Sequence, residues 1–408
     1  MPQAPFVVIG AGQAGLQVCD SLRKLGYTGK LILIGDESHP PYQRPPLSKK
    51  FLSGDVEADR LLFRPASYYD KLDIELRLGQ SVRRIDRSAN ELECEDGSRL
   101  PYAKLALTTG ARVRLLPCPG AEQPNVHYVR DLDDSEQLRS ALAAGHRLAV
   151  IGGGFIGLEV AAMARGLGKE VVLLEALDRL MARAVSPEVS AYFANLHRAH
   201  GVDLRLGCSV REIVPGDGGL QLRGDSGTLA EADLLVVGIG VVPNTELAAE
   251  AGLECRGGIV VDIHAATSDP DIVAAGDCTM HFNGYLGREV RLESVQNAVD
   301  QARTAAATMV GQAERYIQVP WFWSDQYNVK LQMAGIGMPF DVSVTRGHQA
   351  DDAFSLFYFR AGKLVGADSI NRPIDHMACR KLLAQGTMLT PEEAASEDAD
   401  LMQLARAG

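Results

Sequence analysis

The sequence predicts an α/β protein with two Rossmann-like dinucleotide-binding domains and a smaller C-terminal α+β domain. Two stretches predict the pair. Phe6-Val7-Val8-Ile9 runs into Gly10-Ala11-Gly12-Gln13-Ala14-Gly15, and Leu148-Ala149-Val150-Ile151 runs into Gly152-Gly153-Gly154-Phe155-Ile156-Gly157. Each is an apolar strand followed by Gly-x-Gly-x-x-Gly, a helical segment, a second apolar strand and an acid about 20 residues past the last glycine. The acids are Asp36 and Glu175. A third region opens at Pro320-Trp321-Phe322-Trp323, and its short alternating segments suit an antiparallel sheet.

The glycines have separate physical roles. Gly10 permits the tight turn, Gly12 lets a pyrophosphate approach the backbone, and Gly15 lets the helix sit close on its strand. That helix, Leu16 to Leu25, aims its first N–H groups and the positive end of its dipole at the phosphates. Gly26 ends it, and Leu31-Ile32-Leu33-Ile34 is the next strand. In the second unit the helix starts at Leu158, and Val171-Val172-Leu173-Leu174 leads to Glu175. One such turn is a weak signal. Two complete strand, turn, helix, strand and acid units point to two dinucleotide sites.

Composition narrows the function classes. The chain has 408 residues, 46% hydrophobic and 23% charged, which suits two or three globular domains. A net charge of −11 argues against a nucleic-acid partner. No apolar run approaches the ~18 residues of a membrane span. With a strand at Phe6 there is no room for a secretory signal. The seven cysteines (19, 94, 118, 208, 255, 278, 379) are scattered and form no C-x-x-C. The expectation is a reducing cytoplasm, no disulfide framework and no metal.

The remaining elements follow in order. Pro40 to Lys49 is a Pro-rich loop, which composition alone reads as a surface loop with Ser48 capping a short helix. Strands are expected at 72–78 and 82–86, and a hairpin over Asn90 to Arg99 turns at Asp96-Gly97. Leu105 to Gly110 is a small-residue strand end, and Pro117, Pro119 and Pro124 mark a boundary near 115. Leu180 to His200 reads as one helix. Strands recur at 202–206, 209–214 and 219–223, and Leu234 to Gly240 closes the second unit. Ile259 to Asp262 and Ile272 to Ala275 are strands, the latter leading to Gly276-Asp277, before a helix over Gln296 to Met309. The last region has strands around 329–334, 341–345, 354–359 and 364–367, then a helix from Asp375.

Several of these stretches together resemble one family. They are Arg44 to Lys49, Gly152 to Glu159, Val237 to Gly240, Thr267 to Pro270, Ala275 to Asp277, Glu293 to Ala298 and Pro320 to Gln326. The chain resembles, over nearly its whole length, the FAD-dependent NADH:ferredoxin reductases of bacterial oxygenase systems. The resemblance implies an FAD domain (1–114 and 242–319) split by an inserted NADH domain (115–241), then a C-terminal domain (320–408). The Gly276-Asp277 element would then complete the first sheet. Implied FAD contacts are Gly10, Gly12, Ala14, Gly15, Asp36, Arg44, Lys49, Val82, Thr109, Gly110, Arg130, Asp277, Val295 and Trp323. Implied NADH contacts are Gly152, Gly154, Phe155, Ile156, Gly157, Glu159, Glu175, Gly238 and Gly240, with Glu293 near the nicotinamide. Trp321 is read as plain core.

By the same resemblance, Lys49 and Glu159 form the pair beside the flavin. The ammonium stabilises negative charge on reduced flavin, and the glutamate orients it. Disulfide reductases of the wider superfamily carry a cysteine pair where this chain has Pro45 to Lys49, and no cysteine lies between Cys19 and Cys94. The implied acceptor is therefore a [2Fe-2S] ferredoxin serving a cytochrome P450 or a ring-hydroxylating dioxygenase. The alternatives are an NADH oxidase, a rubredoxin reductase, or a redox-regulated flavoprotein of the apoptosis-inducing-factor type. A monomer or weak homodimer is expected. Because acidic ferredoxins would be repelled by the net charge, a local basic patch is expected, with Arg303 first and Lys330 second.

Overall fold

The computed structural model describes residues 4–216 and 218–407. They divide into two compact units.

The first unit comprises residues up to Gln43, Leu62–Arg112 and Val242–Pro320. Its core is a five-stranded parallel sheet in the order Ile272–Ala274, Lys104–Leu107, Phe6–Ile9, Leu31–Ile34, Ile74–Arg77. The central strands are buried on both faces, which is why they read as unbroken apolar runs rather than alternating ones. Each such aliphatic side chain contributes about 1.5–3 kcal/mol on burial. Ile272–Ala274 pairs with Lys104–Leu107 and completes the sheet from far along the chain, as expected. The helices Gln13–Lys24 and Val295–Met309 pack together over the sheet through Ala14, Val18, Ala298, Ala302 and Ala305.

The second unit comprises Arg44–Leu61, Val113–Val241 and Trp321–Gly408. It holds a second parallel sheet, ordered Asp203–Leu206, Glu170–Glu175, Arg147–Ile151, Leu234–Val237, Val126–His127. An antiparallel meander follows over Glu212–Gly216, Gly219–Gly224 and Gly227–Ala232. The C-terminal region forms a five-stranded antiparallel sheet, ordered Trp321–Gln326, Val329–Ala334, Lys363–Ile370, Ala353–Arg360, Val342–His348.

Several elements differ from the sequence reading, among them short ones it does not name, such as the helix Ala66–Lys71 and the strands Gly227–Ala232 and Thr279–Asn283. The helix expected over Leu180 to His200 is Pro187–Ala199, because Ser186 caps it with Pro187 in its first turn. A helix over Leu132–Ala144 was not expected; a capping box between Asp131 and Asp134 starts it. Trp321–Gln326 is a strand. Ser48 closes a 3-10 turn over Pro45–Ser48 rather than capping a helix, and its hydroxyl serves the site below.

The start of the second parallel sheet is pinned by Asp233. Burial would raise its carboxyl, but the backbone N–H groups of Arg147 and His146 and the Arg147 guanidinium bring it down to about 2, from 3.8. A carboxylate with a lowered folded pKa stabilises above its unfolded pKa and loses that contribution as pH falls through the folded one. Asp233→Asn should therefore lower the melting temperature at pH 7, and the gap to wild type should close between about pH 4 and pH 2. Thermal melts across that window check it.

Candidate functional site

The first glycine-rich turn is shaped by close backbone approaches. Gly10 has φ +107°, and a Cβ there would stand 2.2 Å from the Thr108 carbonyl oxygen. A Cβ on Gly15 would meet the Gly10 carbonyl at 2.0 Å. Over Gly12 the space is open, with no atom within 4 Å of a Cβ position. Gly12 is the N-cap of its helix and no side chain caps it. The first-turn N–H groups therefore face an open cradle, the donor set a pyrophosphate takes. Gly276 (φ +89°) stands where a Cβ would come within 3.2 Å of the Ala14 side chain, and half-buried Asp277 follows it. Thr109 and Asn244 lock the neighbouring loop reciprocally, Thr109 Oγ1 donating to the Asn244 carbonyl and Asn244 Nδ2 to the Thr109 carbonyl. Gly110, Val82 and Val295 belong to this unit too.

The second turn repeats this plan. Gly152 (φ +108°) lies against the Gly238 carbonyl, and a Cβ on Gly157 would meet Gly152 O at 2.1 Å. Gly154 is an N-cap without a side-chain cap, and its Cβ position meets nothing nearer than Gly238 O at 3.9 Å. Beside this cradle Phe155 and Ile156 begin the helix, Ile156 exposed, and Gly240 (φ +101°) is exposed as well.

The acids are placed differently in the two units. Gly10 N–H donates to Ile34 O and Gly152 N–H to Leu174 O, so Gly35, not Asp36, is level with Glu175. Asp36 lies one residue further, exposed, accepting from the Glu37 N–H. Packing explains the offset. A Cβ on Gly35 would stand 2.6 Å from the Ala11 Cβ. In the second unit the position of Ala11 is taken by Gly153, whose N–H donates to Glu175 Oε2 at 2.6 Å. The other oxygen of Glu175 accepts from Leu177 N–H. One partner in each pair must be glycine.

A buried charge pair lies in the second unit. Glu159 is 4% exposed, at the fifth position of the helix Phe155–Gly166. Its Oε2 accepts from Lys49 Nζ and from Ser48 Oγ, both at 2.6 Å, and its Oε1 accepts from Ser324 Oγ at 2.7 Å. Lys49 also donates to the Pro45 carbonyl. Lys49 and Glu159 were legible from the sequence; Ser48 and Ser324 as their partners were not. The segment carrying Lys49 is tied down by Ser135 Oγ on the Leu47 carbonyl and by Arg44 Nη1 on the Arg130 carbonyl. Arg130 N–H in turn donates to Asp134, whose carboxyl is pushed up by burial and by the Asp131 charge.

Trp323 is half-buried, with Trp321 at 5.7 Å and Phe322 at 6.1 Å, while Phe322 contacts Phe155 at 4.8 Å. Trp321 is half-buried rather than plain core, and the Arg380 guanidinium lies 4.2 Å over its ring. Glu293 lies in the first unit, exposed and paired with Arg291 at 2.8 Å. Arg303 and Lys330 are exposed, but each is paired with an aspartate, Asp300 and Asp325. All seven cysteines are free thiols. Burial pushes Cys278 up to about 11 and pushes up Cys19 and Cys379 as well, so these thiols are poor nucleophiles. Among the described residues no cluster suits a metal, and no helix is long and apolar enough to cross a membrane.

Residues 4–302 match the family model for pyridine nucleotide-disulphide oxidoreductases, and residues 321–405 match the reductase C-terminal family. The chain belongs to the pyridine nucleotide-disulphide oxidoreductase family. It is 51% identical to rhodocoxin reductase of Rhodococcus erythropolis over 97% of this chain and 93% of that protein. It is 43% identical to the ferredoxin–NAD(+) reductase component of the anthranilate 1,2-dioxygenase system of Burkholderia cepacia, over 97% and 98%. Among solved structures, the ferredoxin reductase for the CYP199A2 system of Rhodopseudomonas palustris superposes with a TM-score of 0.96 at 45% identity, covering 99% and 100% of the two chains. The covalent putidaredoxin reductase–putidaredoxin complex gives 0.95 at 38%, covering 100% and 99%. The two glycine cradles are what this oxidoreductase family needs for two dinucleotides.

The glycine complementarity can be tested directly. Gly35→Ala should destabilise the protein by about 1–3 kcal/mol through overpacking against Ala11. Ala11→Gly in the same chain should recover most of that loss, as measured by the urea midpoint.

Proposed function

We propose that the chain is an FAD-dependent reductase that takes hydride from NADH and passes single electrons to a [2Fe-2S] ferredoxin serving a P450 or a ring-hydroxylating dioxygenase. The observation that carries this reading is the Lys49–Glu159 pair. By the resemblance, Lys49 lies in the segment where disulfide reductases hold their cysteine pair; no cysteine lies between Cys19 and Cys94 here, which supports an external carrier as the acceptor. When bound, NADH would supply the hydride, and FAD would accept it and release the two electrons one at a time.

The residues fit both groups. Gly10, Gly12, Ala14, Gly15, Thr109, Gly110, Asp277 and Val295 would hold FAD with Asp36 and Val82, while Arg44, Lys49, Arg130 and Trp323 complete its binding. Gly152, Gly154, Phe155, Ile156, Gly157, Gly238 and Gly240 would hold NADH, with Glu293 toward the nicotinamide. The open cradles at Gly12 and Gly154 support this assignment, each over uncapped helix N–H groups. Glu159 and the Pro45 carbonyl hold the Lys49 side-chain nitrogen in place. The aromatic ring of Phe155 packs against Phe322 at the start of the helix that forms the Gly154 cradle. Glu175 takes the ribose hydroxyls of NADH and repels a 2′-phosphate. We place the protein in the cytoplasm, as a monomer or weak homodimer. Docking of an acidic ferredoxin falls to Arg303 and Lys330, with the partnering aspartates reducing what each contributes.

One assay tests the reading. The purified protein should carry one non-covalent FAD and support NADH-driven reduction of a purified [2Fe-2S] ferredoxin. It should prefer NADH to NADPH by about 10²-fold, the size expected for a lost charged hydrogen-bond pair. Glu175→Ala should narrow that ratio mainly through KM for NADH. An unchanged ratio removes Glu175 from the site, and FMN in place of FAD contradicts the reading as a whole.

A further inference from the structure

Glu159 does not end its chain of hydrogen bonds at Ser324. Gln326 Nε2 donates to Ser324 Oγ at 3.2 Å. Gln326 Oε1 lies 2.9 Å from His197 Nε2, and the Tyr327 hydroxyl lies 3.2 Å from His197 Nδ1. His200, exposed at the end of the same helix, stacks on Tyr327 at 3.7 Å. Every residue from Glu159 to His197 is buried, and His197 is 0% exposed.

The chemistry of each group sets the direction of this chain. A carboxylate only accepts, so Ser324 must donate to Glu159. The Ser324 oxygen is then free to accept, and the Gln326 amide can serve it only through Nε2. That leaves Oε1 toward His197, which must carry its proton on Nε2 and accept the Tyr327 hydroxyl at Nδ1. Only a neutral imidazole can do both. Burial holds His197 down at about 4, so it is neutral at physiological pH. Tyr327, His197, Gln326 and Ser324 all donate in one sense, toward Glu159.

We propose that His197, acting through Gln326 and Ser324, is a positioning residue that fixes the Glu159 carboxylate and thereby the Lys49 ammonium. Without the Nε2–H, Gln326 Oε1 is left in the core with no donor. The amide then recruits the Ser324 hydroxyl, and Glu159 Oε1 loses its hydrogen bond. The inference rests on the placement of the Lys49–Glu159 pair beside the flavin given above.

The test uses the FAD-loaded protein with His197→Phe, which keeps a ring without a donor, and His197→Gln, which restores one. His197→Phe should slow flavin reduction by NADH about tenfold, the worth of one charge-assisted hydrogen bond, and leave Kd for NADH unchanged. The same loss should make the flavin midpoint potential more negative by about 30 mV, a tenfold change for a two-electron couple. His197→Gln should recover both. Gln326→Met cuts the chain one link nearer and should match His197→Phe. If His197→Phe fails to fold, that variant and the nitrogen NMR shifts of His197 in the wild type still decide the matter. A proton on Nε2 supports the relay, and a proton on Nδ1 overturns it. Wild-type rate and potential in a folded His197→Phe or Gln326→Met variant overturn it too. The two readings fail differently. An FAD-loaded wild type that NADH does not reduce contradicts the proposed function, whereas Nδ1 protonation contradicts the relay alone.

Discussion

The structure around the site depends on one constraint, the burial of the Glu159 carboxylate. A carboxylate out of water costs several kcal/mol unless its oxygens are paired. Both are. Lys49 and Ser48 serve one oxygen and Ser324 serves the other. These donors come from distant parts of the sequence, so satisfying one carboxylate draws residues 44–61, the helix Phe155–Gly166 and the strand Trp321–Gln326 into one unit. Removing one partner of such a pair typically costs about 3–5 kcal/mol. The pair is thus weak evidence for stability but strong evidence for a fixed charge at a fixed place.

A second constraint is steric and appears twice. Both glycine-rich turns need backbone at a van der Waals limit, with carbonyls about 2 Å from where a Cβ would be at Gly10, Gly15, Gly152 and Gly157. Those glycines shape the protein itself. Gly12 and Gly154 face open space instead, so their missing side chains serve whatever binds. The sequence motif merges these two roles, and only the geometry separates them. The same logic divides the acids. Glu175 is spent partly on holding Gly153 and Leu177, whereas Asp36 is displaced by the Ala11 contact at Gly35.

Most of the fold was legible because its signals are local. Parallel strands buried on both faces write themselves as apolar runs, and Gly-x-Gly-x-x-Gly has a spacing few other structures require. What was missed depends on tertiary context. The helix Leu132–Ala144 has little hydrophobic contrast, and its best signal was the Asp131–Asp134 capping box. The helix ending at Ala199 was drawn too long because its apolar pattern continues back through Leu180 and Met181, which are core residues of a turn. In the site, Lys49 and Glu159 came from family resemblance, Ser48 was read as a helix cap, and the roles of Ser324, Gln326 and His197 were not foreseen. Hydroxyls and amides carry no periodicity, and their role exists only once the carboxylate beside them is known.

The central claim is that Lys49 and Glu159 act as one unit on the flavin. The most direct measurement is the flavin midpoint potential in a double-mutant cycle of Lys49→Met and Glu159→Gln. The account predicts strong non-additivity, with a coupling of at least about 1.4 kcal/mol, or about 30 mV for the two-electron couple. Single shifts that simply add in the double variant would contradict it.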